Sequence, residues 1–247
     1  MHLLPVRTAG AAENMALDFL LLQRYPTASV PRFRHYEWRG PAYTFGYSQK
    51  IDFVRSHLPA AESFDLCRRP TGGGMVDHRT DWTYALVIPR GHELYDARAA
   101  LSYRIVHECL AAALVALGQP AEVKSQSVSW PDEGGASASS GQPLSDIAQP
   151  GVCFQRAELY DVVQASRRVK IAGAAQKRNK HGLLFQGSIE KGSLGPIDWD
   201  LFSVKFTAVI AQALGTTAQP TPWPELHEDE VAGLTEQYAS AEWTESR

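Results

Sequence analysis

Arg68-Arg69-Pro70-Thr71-Gly72-Gly73-Gly74-Met75-Val76-Asp77-His78 is the stretch on which the reading of this 247-residue chain turns. Three consecutive glycines remove the Cβ atoms from one short loop, so its backbone can take φ > 0 and lie close against a ligand. Arg68 and Arg69 stand just before it, with planar forks of donors suited to phosphate or carboxylate. Pro70 stiffens the approach, and Val76 begins the return to apolar chain. The loop is not a phosphate-cradling G-x-x-x-x-G-K-[ST] segment, because no Lys-Ser/Thr follows the glycines, nor is it G-x-G-x-x-G. Taken alone, it reads equally well as a tight turn between two strands.

Working outward, residues 64–68 lead into the loop as a strand and residues 82–89 leave it as another, which would string a ligand loop between rigid elements. On the N-terminal side, 11–23 reads as a helix with a broad apolar face (Met15, Leu17, Phe19, Leu20, Leu21, Leu22), stopped by Pro26. Residues 32–38 alternate charge and aromatic, as a period-two strand with one wet face does. Gly40-Pro41 turns the chain into a strand over 42–46, and Asp52 reads as the cap of a short helix reaching His57. On the C-terminal side, 96–117 is the longest helical pattern, with Leu101, Ile105, Leu110, Leu114 and Leu117 near helical spacing and Gly118 ending it. Residues 124–150 break that rhythm with Ser, Gly, Gln and Pro and read as a mobile surface excursion. Three strands follow, over 159–163, 168–172 and 183–189. A helix over 199–214 (apolar at Leu201, Phe202, Val204, Phe206, Val209, Ile210 and Leu214) and a weaker one over 225–238 close the chain. Clustered strands with separate helices predict an α+β fold around a mixed, mostly antiparallel sheet.

Composition narrows the function classes. The 44% hydrophobic content is that of a folded globular chain, and a formal charge of −3 gives no global attraction to nucleic acid or anionic membrane. No apolar run approaches the roughly twenty residues of a membrane span. The start, Met1-His2-Leu3-Leu4-Pro5-Val6-Arg7, lacks the layout of a signal peptide, so the expectation is a cytoplasmic protein. Cys67, Cys109 and Cys153 are widely spaced, fit reduced thiols better than a disulfide framework, and show no zinc-ligand spacing.

About a hundred residues after the glycine loop comes Lys170-Ile171-Ala172-Gly173-Ala174-Ala175-Gln176-Lys177-Arg178, and then Phe185-Gln186-Gly187-Ser188-Ile189. The ordered pair R-R-x-T-G-G-G-x-V-x-H and K-I-x-G-x-A-Q-x-R resembles the lipoate–protein ligase and octanoyltransferase family, the biotin/lipoate attachment fold. Glu13-Asn14-Met15-Ala16-Leu17-Asp18 and Phe45-Gly46-Tyr47-Ser48-Gln49 are similar to segments of the same family. The resemblance implies a central sheet flanked by helices with an acyl ligand in a tunnel across it. It implies one catalytic domain over residues 1–247 without the C-terminal accessory domain of many ATP-using ligases. Arg68, Arg69, Thr71, Gly72, Gly73, Gly74, His78, Gly173, Ala175, Gln176, Gly187 and Ser188 would bind substrate.

The same resemblance gives Lys170 and Cys153 their roles. By position alone Lys170 is a solvated strand lysine; in the family the lysine of this motif reaches the acyl carbonyl, as a fixed donor where negative charge develops. Cys153, alone, reads as a small buried hydrophobe; in the octanoyltransferase branch a Cys-Phe pair about this far before the K-I-x-G motif accepts the acyl group. A thiol near its ordinary pKa of about 8.5 is mostly protonated at neutral pH, and a neighbouring Lys170 ammonium would favour the anion. The Asn-Asp pair typical of the ATP-using branch is missing from this loop. Cys67 and Cys109 read as structural. His78 is left open as a base, a phosphate contact or a hydrogen-bonding residue near the acyl site. Gln176, Lys177, Arg178 and Lys180 form a basic patch, either a solvated turn or a dock for an acidic carrier domain. Gln186 stands where family members commonly have a histidine, and keeps hydrogen bonding without titrating near neutrality.

The function implied is movement of an octanoyl or lipoyl group from an acyl carrier protein thioester to a lysine of a lipoyl carrier domain, with no tightly bound cofactor. The alternative within the family is an ATP-dependent lipoate–protein ligase using ATP and magnesium with free lipoate or octanoate, and biotin attachment ranks below both. An alternative of another class is a non-catalytic acyl-binding or regulatory protein.

Overall fold

The computed structural model describes residues 1–24, 30–60, 62–125 and 156–246, and the account below concerns these. Most of the 124–150 excursion and Cys153 lie outside them. The first elements are β1 (His2–Leu3), β2 (Arg7–Ala9), α1 (Ala11–Gln23), β3 (Arg32–Trp38), β4 (Ala42–Phe45), α2 (Ile51–Ser56), β5 (Asp65–Arg68), β6 (Val76–Asp77) and β7 (Asp81–Pro89). Then come α3 (Glu93–Asp96), α4 (Ala99–Val115), β8 (Ala121–Val123), β9 (Val162–Gln164), β10 (Lys170–Asn179) and β11 (Gly182–Glu190). A 3-10 turn, α5 (Trp199–Ala213), β12 (Gln219–Pro220), α6 (Glu228–Ala239) and α7 (Ala241–Thr244) complete the chain.

The large sheet runs β12-β1-β3-β7-β11-β10-β9-β8, with β2 beside β3, and a small sheet runs β5-β4-β6. The pairs β3–β7, β7–β11, β11–β10, β10–β9 and β9–β8 are antiparallel, while β1 pairs parallel with β3 and β12. This is the expected mixed α+β architecture. One face of the large sheet carries α4 and α5, burying Phe33, Trp82, Tyr84, Phe202 and Phe206 in one aromatic core. The other face carries α1 and the C-terminal helix α6, with Met15, Leu21, Leu22 and Tyr238 against Val87 and Leu184.

Several local expectations change. Strand β3 has no wet face over its first half, because α1 covers one side and the aromatic core the other. Arg34 is therefore buried, and an ion pair with Asp18 of α1 at 2.7 Å compensates it. Helix α2 starts after Lys50 without a side-chain cap, so Asp52 is an ordinary first-turn acid. The long helix begins at Ala99, and Leu101, Leu201 and Val204 are exposed rather than core. The inward face of α4 uses the expected Leu110 and Leu114 together with Ser102, Val106 and His107. The glycine loop leaves the small sheet at β5 and re-enters it at β6, and the chain crosses to β7 of the large sheet only after that. Among the described residues no helix is long and apolar enough to cross a membrane.

Candidate active site

A narrow cavity opens where the glycine loop meets the middle of β10 and β11. Arg69, Gly73, His78, Lys170, Gly173, Ala175, Gly187 and Ser188 all line it, together with Met15, Tyr36, Thr44, Thr83 and Gln186. The topology explains the convergence of segments a hundred residues apart. Strand β11 lies between β7 and β10, and the loop between β5 and β6 folds over their faces.

The loop keeps its shape through its own backbone and one arginine. Gly73 sits at φ +87, and a Cβ on Gly46 would come within 1.9 Å of the Gly73 carbonyl oxygen. Both positions therefore require glycine. Arg69 turns back on the loop: its Nη2 donates to the carbonyls of Gly72 and Gly74 at 2.9 and 2.8 Å, and its Nη1 to Thr44 Oγ1 at 2.8 Å. Arg68 points the other way. Its guanidinium donates to the carbonyls of Tyr47, Gln49, Trp243 and Thr244, which ties the loop's base to the C-terminal α7. Arg68 is thus not in the cavity wall, and neither are Thr71, Gly72 and Gly74.

Thr71 acts through Gln186 instead. Its hydroxyl donates to Gln186 Oε1 at 2.7 Å, and Gln186 Nε2 donates to Asp18 Oδ2 at 2.7 Å. The amide thus joins loop to helix α1, using both its donor and its acceptor. Burial raises the Asp18 pKa, against the opposing pull of Arg34 and these hydrogen bonds. Gln176, expected at the substrate, ties β10 to α4 by donating to the Ala99 carbonyl at 3.0 Å and accepting from Ser102.

One wall of the cavity is a buried polar network. His78 Nδ1 lies 2.7 Å from Asp81 Oδ2 and His78 Nε2 lies 2.6 Å from Thr44 Oγ1, while Trp38 stacks on the ring at 4.0 Å. Thr44 Oγ1 accepts from Arg69, and the Asp81 carboxylate accepts from His78 Nδ1–H. The same Asp81 oxygen accepts from Thr83 at 2.8 Å and Ser188 at 2.5 Å. Asp81, Thr83 and Thr44 carry no motif signal; Asp81 lies three residues past His78, the pairing of β4 with β6 brings Thr44 to the ring, and the pairing of β7 with β11 brings Ser188 to Thr83 and Asp81.

The opposite wall holds Lys170. Its ammonium lies 2.7 Å from Asp161 Oδ2, with side-chain exposures of only 7% and 1%. A Cβ on Gly173 would fall 2.8 Å from Lys170 Cε and Nζ, so this glycine makes room for the lysine itself. Gly187 likewise makes room for Tyr84, whose ring would lie 2.2 Å from a Cβ there. Burial pushes the Cys67 thiol up to about 12 and the Cys109 thiol to about 11, so neither supplies a thiolate near neutrality.

A narrow pocket with a buried lysine in one wall is thus set into a mixed sheet flanked by helices. Residues 10–193 match the lipoyl protein ligase A/B catalytic domain, and the chain belongs to that family. The octanoyltransferase LipM of Bacillus cereus is 31% identical over 194 residues, covering 77% of this chain and 63% of that protein. The chain thus spans under two thirds of that relative's length. The octanoyltransferase LipM of Symbiobacterium thermophilum is 28% identical, over 94% of this chain and 93% of its own. Among solved structures, a lipoate-protein ligase A bound with ATP shares the fold with a TM-score of 0.70 at 18% identity, over 99% of this chain and 97% of that one. The bi-partite lipoate protein ligase of Thermoplasma acidophilum superposes with a TM-score of 0.69 at 17% identity, over 99% and 95% of the two chains.

Proposed function

We propose that this chain is an octanoyltransferase of protein lipoylation: a single catalytic domain that takes an octanoyl group from a carrier-protein thioester and gives it to a lysine of a lipoyl carrier domain. The observation that carries this reading is Lys170, an ammonium fixed in the wall of a narrow pocket whose lining also includes Met15, Tyr36 and Ala175. Naming of relatives as octanoyltransferase LipM supports it. An octanoyl chain brings six or seven methylenes, about 5 kcal/mol of apolar burial before the costs of binding.

In the first step the Cys153 thiolate attacks the carrier thioester carbonyl, forms a new thioester and releases the carrier thiolate, which takes up the proton that left Cys153. Lys170 donates toward the carbonyl oxygen as it becomes negative. In the second step the lysine amine of the lipoyl domain attacks, the Cys153–acyl bond breaks, and the amine's proton passes to the departing sulfur. No oxidant, nucleotide or tightly bound cofactor enters the balance. Cys153 is the one cysteine left for this role once burial has raised the other two thiols. An acidic carrier would meet the basic edge at Lys177, Arg178 and Lys180, in the cytoplasm.

Reconstitution tests the reading. Purified protein, an apo lipoyl domain and octanoyl carrier protein should give octanoylated lipoyl domain without ATP. Modification only with free octanoate or lipoate plus ATP and magnesium would make the protein a ligase. Acyl binding without transfer from either donor would make it a non-catalytic binder.

A further inference from the structure

The mechanism above uses Lys170 but not the residues that aim it. Asp161 does not line the cavity, yet its Oδ2 holds the Lys170 ammonium at 2.7 Å and also accepts from the Glu158 amide at 2.7 Å. Asp161 follows Tyr160, a non-glycine residue at φ +69, one of two such residues among those described. A left-handed tyrosine persists only where its surroundings over-determine it, and here they do. The Tyr160 amide donates to the Lys124 carbonyl at 2.9 Å, and the Lys124 amide donates to the Asp161 carbonyl at 2.9 Å. Lys124 Nζ also reaches the Ala157 carbonyl at 2.6 Å.

The last grip comes from helix α4. His107, fully buried, lies with Nδ1 2.6 Å from the Tyr160 carbonyl. A carbonyl can only accept, so Nδ1 carries the proton, and burial holds this imidazole below its ordinary pKa and neutral. On the other side, Gly173 leaves the space across which the pair lies: a Cβ there would come within 3.0 Å of Asp161 Oδ1. Helix, strained residue, carboxylate and glycine thus converge on one ammonium.

Resting on the acyl-transfer reading, we propose that Asp161 is the positioning residue of Lys170, aimed by the His107-clamped Tyr160 turn, and that it acts on transfer only through that lysine. Without the carboxylate the long, flexible lysine regains its rotamers and loses its fixed place beside the acyl carbonyl.

Two measurements on the full chain separate this from a merely structural ion pair. The first needs no turnover: trace acetylation by acetic anhydride, read by peptide mass spectrometry, with exposed Lys180 as internal reference. Release of the amine in Asp161→Asn should raise Lys170 labelling by about threefold or more. The second is octanoyl transfer by Asp161→Asn, Lys170→Ala and the double variant. Asp161→Asn should lower kcat by about tenfold with KM nearly unchanged, and should add nothing to Lys170→Ala. Additive losses, or unchanged labelling, overturn the proposal. If the wild type transfers no acyl group, the transfer reading fails, while labelling still decides the pair. Should Asp161→Asn not fold, Asp161→Glu keeps the charge. Labelling and kcat near wild type support the proposal, and loss to the Lys170→Ala level with an unchanged melting temperature overturns it.

Discussion

The two walls of the pocket are built differently. The His78 wall is a closed lattice: Asp81 gathers His78, Thr83 and Ser188, Thr44 joins His78 to Arg69, and Trp38 covers the ring. It spans both sheets, with Asp81, Thr83 and Ser188 on the well-paired β7 and β11 and Thr44 on β4. The Lys170 wall hangs on β9, three residues long, a register shift between Lys170 and Ala172, and a left-handed tyrosine. One wall is redundantly fixed. The other draws, among the described contacts, on the Lys170–Asp161 ion pair and the Tyr160 turn. Damage to the first should therefore appear as lost stability, and damage to the second as lost transfer with the fold intact.

Lys170→Ala sharpens that contrast most. It should lower kcat for octanoyl transfer by about 10²–10³-fold, the range for removing one preorganised donor to a developing oxyanion, with a near-normal urea midpoint. Gly46→Ala is the matching break on the fixed side. Its new methyl group meets a backbone carbonyl rather than a movable side chain, so urea unfolding should show a loss of about 3 kcal/mol. Asp81→Ala strands His78, Thr83 and Ser188 together, and should cost about 2–3 kcal/mol in the same assay. A parallel drop in Asp161→Ala as large as that in Asp81→Ala would erase the distinction between the walls.

The smallest effect is a pH dependence. Burial lowers the pKa of His107, and likewise that of His35, so both stay neutral in the folded protein where the unfolded chain is already protonated. The unfolded state then binds more protons, and stability falls as pH drops below about 6.5, by at most about 1.4 kcal/mol per pH unit for each histidine. His107→Gln should flatten part of this acid limb in denaturation curves taken between pH 7 and pH 5. An identical limb in the variant would contradict a buried neutral His107.

Much of the fold was legible in local patterns. Helix α1 and strand β3 follow the expected bounds because turn-forming residues such as Pro26 and Gly40-Pro41 lie just beyond their ends. Strands β1, β2, β8 and β12 were not visible, since two or three residues carry no periodicity. The glycine loop, His78, Lys170 and Ser188 were readable as motif residues, and they do meet at one cavity. What a motif does not specify is where each side chain turns. Arg68 and Arg69 are adjacent and alike, yet one binds the C-terminal segment and the other the loop. Asp81 and Asp161 carried no signal because their partners Ser188 and Lys170 are set by strand order and packing, and Asp18, though part of a motif, gave no hint of its partner Arg34. Gly173 was readable as a place of close approach, but what approaches is the lysine of its own chain.

The central claim is a cysteine-borne acyl group poised beside Lys170, and intact-mass spectrometry tests it most directly. After brief incubation with octanoyl carrier protein and no acceptor, the wild type should gain the mass of one octanoyl group. Hydroxylamine should remove it, and fragmentation should place it on Cys153. Cys153→Ser should show no adduct and no transfer, with an unchanged melting curve. An adduct that persists in Cys153→Ser, or a Cys153→Ser variant that transfers at the wild-type rate, would contradict the account.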